Sequence, residues 1–152
     1  MIFSNQVYVM RYNKLALYLH FVWATWDREP LILPTIERRL YRCIAAEVVA
    51  QKCSVLALNG TTDHIHLLVS FHSTITVATF VKQIKGTSSH FANHVLFAPP
   101  AFKWQGGYGV FSVSSKDIER ATTYIANQKY HHAENTTIPN YEMYDLDDHD
   151  NF

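Results

Sequence analysis

Residues 54–71, SVLALNGTTDHIHLLVSF, read as a β-hairpin at the centre of the chain. Ser54 to Leu58 alternates as a short strand, and Asn59-Gly60 is a turn signal. His64 to Phe71 is a second strand. On a strand, residues i and i+2 share a face. His64 and His66 therefore project together, while Ile65 and Leu67 project the other way into a core.

The flanks of this hairpin set the fold class. Upstream, Thr35 to Lys52 carries apolar Ile36, Leu40, Cys43, Ile44 and Val48 at helical spacing, with Pro34 at its start. Before it, Lys14 to Trp26 (KLALYLHFVWATW) is rich in aromatic residues and reads as a long strand. Downstream, Thr76 to about Phe97 is predicted helical through Val77, Phe80, Val81, Ile84 and Phe91, and Pro99-Pro100 ends it. Gly106-Gly107-Tyr108-Gly109 is a loop, and Val110 to Val113 a strand. Ser114 or Ser115 is expected to cap a last helix, Lys116 to about Tyr130, with Asp117 and Glu119 suiting the dipole of its first turn. The order β-α-β-β-α-β-α predicts an α+β fold. It is the ferredoxin-like split βαβ arrangement, an antiparallel sheet with an added C-terminal helix. Residues 1–133 read as one domain, and 134–152 as an acidic, flexible tail.

Composition bounds the function. The 152 residues are 48% hydrophobic and 17% charged, so the chain buries a core and is not disordered. No apolar run approaches the roughly 20 residues that cross a bilayer, and the first residues do not form a signal peptide. Cys43 and Cys53 lack metal spacing and read as reduced thiols of a cytoplasmic protein. Formal net charge is zero, but Glu142, Asp145, Asp147, Asp148 and Asp150 crowd the C-terminus. Without those acids the body holds 13 basic against 8 acidic residues, which suits a modest polyanion binder.

Two constellations carry chemistry. His64 and His66, side by side and neutral near pH 7, can hold one divalent metal. Such a pair is weak evidence alone among nine histidines, and His90 and His94 form another at helical spacing. Tyr124 and Gln128 are four apart and share a helical face. A tyrosine can attack phosphorus and form a covalent intermediate. Its phenol, with a pKa near 10, needs help, which a metal on the scissile phosphate supplies. Gln128 offers a carbonyl oxygen as a third ligand, and mixed N/O ligation suits Mg²⁺ or Mn²⁺. The alternative is an ordinary amphipathic helix with Tyr124 packed on the sheet.

Taken in order, four segments resemble one family. They are His20-Phe21-Val22-Trp23-Ala24-Thr25; Thr62-Asp63-His64-Ile65-His66-Leu67-Leu68-Val69; Ile84-Lys85-Gly86-Thr87-Ser88-Ser89; and Trp104-Gln105-Gly106-Gly107-Tyr108 with Tyr124-Ile125-Ala126-Asn127-Gln128. From Tyr18 to Gln128 the chain resembles the single-tyrosine HUH transposases of the insertion-sequence 200/605 group, and the related repeat-associated tyrosine transposases. The resemblance implies metal ligation by His64, His66 and Gln128. It implies Tyr124 as the nucleophile, leaving a 5′-phosphotyrosine and a free 3′-OH. It further implies single-stranded DNA substrates with hairpins at element ends, and a homodimer. The chain departs from the family at Trp26-Asp27-Arg28, where only Arg28 remains of a basic pair, and in its acidic tail.

Other residues have expected roles. Lys82, Lys85 and Ser88 on the second helix, with Arg28, are candidate DNA contacts. Asp63 is a candidate to order an imidazole from behind. Trp23, Trp26 and Trp104 offer stacking surfaces, with packing the readier role for Trp23. Tyr108 is a rival nucleophile, and Tyr130, His131 and His132 read as helix-end surface. Two rival functions stand beside strand transfer: a metal-dependent nuclease that uses activated water, and a domesticated binder of structured DNA or RNA that no longer cuts.

Overall fold

A computed structural model describes residues 13–142. Four strands, β1 (Tyr18–Ala24), β2 (Ser54–Gly60), β3 (His64–Ser70) and β4 (Gly109–Val113), alternate with helices α1 (Pro34–Ala50) and α2 (Val77–His94). Helices α3 (Ile118–Ala126) and α4 (Gln128–Ala133) follow β4. The sheet order is β2-β3-β1-β4. Every pairing is antiparallel, so the α+β ferredoxin-like architecture is the observed one.

The sheet separates two packed layers. On one face Phe21, Trp23, Ile65, Leu67 and Val69 meet Ile36, Leu40, Ile44 and Val48 of α1, and Phe80, Val81 and Ile84 of α2. The four α1 residues recur every fourth position, which makes one buried stripe. Each such side chain contributes about 1.5–3 kcal/mol on leaving water. On the other face Leu68 packs against Val113, Ala121, Tyr124 and Ile125, which seats α3. Cys43 and Cys53 are free thiols. Among the described residues no helix is long and apolar enough to cross a membrane.

Several boundaries differ from the sequence reading, each for a local reason. The first strand is shorter than expected, and Trp26–Arg28 forms a 3-10 turn with Asp27 and Arg28 at positive φ. Asn59-Gly60 is not the hairpin turn, because β2 runs through it. A Cβ on Gly60 would lie 2.1 Å from the His64 carbonyl oxygen, so only glycine lets the strands approach there. Asn59 is used elsewhere, its Nδ2 donating to the Ala126 carbonyl at 2.9 Å and tying α3 to the sheet. The α2 start is capped by Thr76, whose hydroxyl accepts from the Thr79 N–H. The expected serine cap of the last helix is absent: Asp117 holds that position, and Ser114 donates to the Asp117 carboxylate.

The last helix is not continuous. It breaks at Asn127, which sits at φ −101°, ψ 19°. The Asn127 side chain bonds back to the Thr123 carbonyl at 3.0 Å, in competition with the helical ladder. The chain restarts as α4 with Gln128 buried. Residues 134–142 then return across the sheet, and Ile138 and Tyr141 pack on the Leu68–Tyr124 layer. That stretch was expected to be flexible; its apolar residues give it something to bury. The remaining acidic residues of the tail, Asp145 to Asp150, lie outside the described residues.

Candidate metal and nucleophile site

Strand β3 aims His64 and His66 at the α3 face of the sheet, and both are buried. Each ring is held from behind. His64 Nδ1 lies 2.6 Å from Asp63 Oδ1, and Thr61 Oγ1 donates to the same carboxylate oxygen at 2.8 Å. A carboxylate only accepts, so His64 Nδ1 carries its proton and Nε2 presents a lone pair. Burial would raise the Asp63 carboxyl, but His64, Thr61 and Arg28 together bring it down to about 2. Behind His66 stands His20 of β1, its Nε2 2.9 Å from His66 Nδ1. Burial, then His66, lowers His20 to about 3, and burial lowers His66 also. Where His66 Nδ1–H donates to His20, His66 Nε2 is left as a lone pair facing the cluster.

The two Nε2 atoms open on a cluster. His64, His66, His132 of α4 and Glu142 each bring one ligand atom within 4.8 Å of all the others. Glu142 Oε2 lies 3.3 Å from His66 Nε2, 3.6 Å from His132 Nε2 and 3.8 Å from His64 Nε2. All three imidazole Nε2 atoms are buried and lack a hydrogen-bond partner. So do both amide atoms of Gln128, which is wholly buried. Buried polar atoms without partners are costly, and the convergence of the three imidazoles with Glu142 fits a divalent metal.

Tyr124 stands over this cluster. Its ring centroid is 6.1 Å from that of His66. Its hydroxyl donates to Glu142 Oε1 and accepts from the Ile138 N–H at 3.0 Å. Burial and the Glu142 carboxylate push the phenol up to about 12, while the Ile138 N–H and the Gln128 amide pull the other way. Burial would raise the Glu142 carboxyl, but His66, Tyr124 and His64 bring it to about 2. His131 stacks on the Tyr124 ring, centroids 4.6 Å apart.

The other sequence candidates separate. Arg28 Nη1 lies 3.8 Å from Asp63 Oδ1, so part of its charge is directed at the carboxylate behind His64. Lys82 is exposed and lines an open groove with Lys85, Lys103, Trp104 and Tyr108. The Lys85 ammonium donates to the carbonyls of Gln105 (2.7 Å) and Gly107 (2.6 Å) and reaches that of Gly106 (3.3 Å). Burial lowers Lys85 to about 8. It therefore holds the β4 approach loop. Ser88 is wholly buried, donates to the Ile84 carbonyl and accepts from Trp104 Nε1. Trp26 is exposed, with Lys103 Nζ 3.5 Å from its ring centroid. His90 and His94 pair on α2, across the sheet from His64 and His66. Tyr108 packs beside Lys85, away from the imidazoles.

Three residues escaped the sequence reading: His20, His132 and Glu142. His132 lies one helical turn after Gln128, a spacing that does point to it. His20 needs the β1–β3 register, in which it pairs with Leu68. Glu142 has no local signal, since only the return of the chain brings it to the site.

Residues 13–128 match the family model described as Transposase IS200 like. The chain belongs to this family of transposases, and so to the enzymes that cleave and transfer DNA. Among individual relatives, the ISDra2 transposase TnpA of Deinococcus radiodurans is 26% identical over 118 residues, covering 72% of this chain and 81% of its own. Two solved structures share the fold. A candidate transposase from Deinococcus radiodurans R1 superposes with a TM-score of 0.60 at 24% identity, over 78% of this chain and 98% of its own. A REP-associated tyrosine transposase bound to a REP hairpin gives a TM-score of 0.60 at 15% identity, over 91% and 92%.

Proposed function

We propose that the chain cleaves and rejoins single-stranded DNA at hairpin-bearing element ends through a covalent bond to Tyr124. The observation that carries this reading is the meeting of Tyr124 with the His64–His66 pair on one face of the sheet, with ring centroids of Tyr124 and His66 6.1 Å apart. His64 and His66 would hold a divalent metal, Mg²⁺ or Mn²⁺ by the family pattern, with Gln128 as a candidate further ligand and Asp63 and His20 orienting the two rings. When bound, the metal neutralises charge on the scissile phosphate and orients it. The relative bound to a REP hairpin supports a hairpin-bearing substrate.

Tyr124 Oη forms a bond to phosphorus as the P–O3′ bond breaks. The phenolic proton moves along its hydrogen bond to Glu142, and the departing 3′ oxygen takes a proton from water. Burial and the Glu142 carboxylate raise the phenol, so loss of its proton is coupled to formation of the bond to phosphorus. Rejoining reverses the step: a 3′-OH attacks the phosphotyrosine, and the phenol leaves. Tyr124 lies beside the histidines of its own chain, and the family pattern makes a homodimer the expected assembly. Lys82 and Arg28 are the basic side chains proposed to guide DNA.

The test is a labelled single-stranded hairpin oligonucleotide with Mg²⁺ or Mn²⁺. The chain is expected to cleave it and to form a protein–DNA adduct, and Tyr124→Phe to do neither. Unchanged cleavage by Tyr124→Phe, without an adduct, replaces this reading with hydrolysis by activated water.

A further inference from the structure

Two of the side chains around the imidazole pair belong to no expected ligand set, and they enter from a part of the chain that reads as helix end and tail. His132 presents a buried, unpartnered Nε2 to the cluster, its ring centroid 4.6 Å from that of His64. Glu142 is the only carboxylate among the clustered ligand groups of the described residues. Its two oxygens do different things. Oε1 accepts from the Tyr124 hydroxyl, while Oε2 faces the three Nε2 atoms at 3.3–3.8 Å. A metal with ligand bonds of about 2.0–2.2 Å sets its tetrahedral donors about 3.3–3.6 Å apart. The spacing of Oε2 from the three nitrogens is close to such edges. A carboxylate oxygen and imidazole lone pairs are all acceptors, so their approach to 3.3–3.8 Å calls for a cation or a proton between them.

We propose that His132 and Glu142 complete the metal centre as its third nitrogen and its carboxylate ligand, and that Glu142 bridges the metal to the nucleophile. This rests on the reading of His64 and His66 as a metal pair. The centre is then three imidazoles and one carboxylate, with His132 and Glu142 in place of the Gln128 carbonyl, a donor set that favours later first-row ions over Mg²⁺. The bridge ties metal loading to the position of residues 134–142. Tyr124 is thereby held over the metal through one carboxylate, Oε2 on the ion and Oε1 on the hydroxyl. Glu142 acts as ligand and as positioning residue for Tyr124.

Co²⁺ is the probe, added alone to the full chain and followed by titration and by its visible spectrum, which is intense in tetrahedral and weak in octahedral sites. The unaltered chain is expected to bind one equivalent with an intense band. His132→Ala and Glu142→Gln should each weaken binding by roughly 10- to 100-fold and reduce the band. Glu142→Gln retains an oxygen that can accept from Tyr124, so a purely packing role predicts an unchanged titration. Unchanged affinity and spectrum in both variants overturn the proposal while leaving the His64–His66 site standing. Unchanged Co²⁺ binding in His64→Ala and His66→Ala overturns the metal reading itself. An intact circular dichroism spectrum shows that each variant is folded.

Discussion

Replacing Ser88 with alanine tests whether this residue belongs to the fold or to a DNA surface. Its hydroxyl donates to Ile84 O at 2.7 Å and accepts from Trp104 Nε1 at 2.9 Å, in a wholly buried position. Removing it strands the indole N–H, for which the cost is about 1–3 kcal/mol. Alanine recovers a few tenths through its higher helix propensity. The net loss is about 1–2.5 kcal/mol, or a fall in Tm of roughly 2–10 °C for a domain of this size. The assay is thermal and urea unfolding of Ser88→Ala, Trp104→Phe and the double variant, without metal. Phenylalanine removes the donor, so the two changes should couple by about 0.5–2 kcal/mol. Affinity for a single-stranded oligonucleotide is measured alongside, and should be unchanged once folded fractions are equal. An unaltered midpoint together with several-fold weaker oligonucleotide binding would refute the reasoning, because the hydroxyl would then be facing DNA.

Three further substitutions probe the supports of the site. Gly60→Ala places a Cβ 2.1 Å from the His64 carbonyl, so β2 and β3 must part; a loss of about 1–3 kcal/mol is expected by denaturant titration, with weaker metal binding, and a wild-type midpoint would contradict it. His20→Phe removes the acceptor behind His66 Nδ1. Metal affinity by calorimetry should fall roughly 10- to 100-fold with the fold retained, and unaltered affinity would show that His20 does not set the tautomer. Lys85→Met leaves the Gln105–Gly107 carbonyls to water. Stability is expected to fall by about 1 kcal/mol and amide exchange in residues 105–109 to quicken, whereas weakened DNA binding at unchanged exchange would return Lys85 to the interface.

The parts of this structure that were legible in the sequence are those with local periodicity. The α1 stripe of Ile36, Leu40, Ile44 and Val48 and the two-residue alternation at His64 to Leu67 each announce a face, and their order fixes the ferredoxin-like sheet. Asn59-Gly60 misled because a dipeptide favourable in turns also serves where strands pack closely, and the reason lies in the opposite strand at His64. Asn127 misled because a single residue broke a helix whose apolar pattern continues past it. In the site, His64 and His66 were legible as neighbours on one strand. His20 and Glu142 were not, since one depends on cross-strand register and the other on where residues 134–142 come to rest. Ser88 and Lys85 resembled phosphate contacts by residue type, and only burial and three backbone carbonyls reveal their structural use.

The sheet order also divides the site by local stability. His64 and His66 ride on β3, paired on both sides by β1 and β2. His132 and Glu142 arrive on a six-residue helix and the stretch beyond it. Opening β3 breaks ladders on two sides and exposes both packed layers, so it approaches the free energy of global unfolding. Releasing the peripheral stretch leaves all four strands paired, so it costs less than opening β3. A metal centre built from all four would join a durable half, His64 and His66 on β3, to a peripheral half, His132 and Glu142, that can detach while the fold persists.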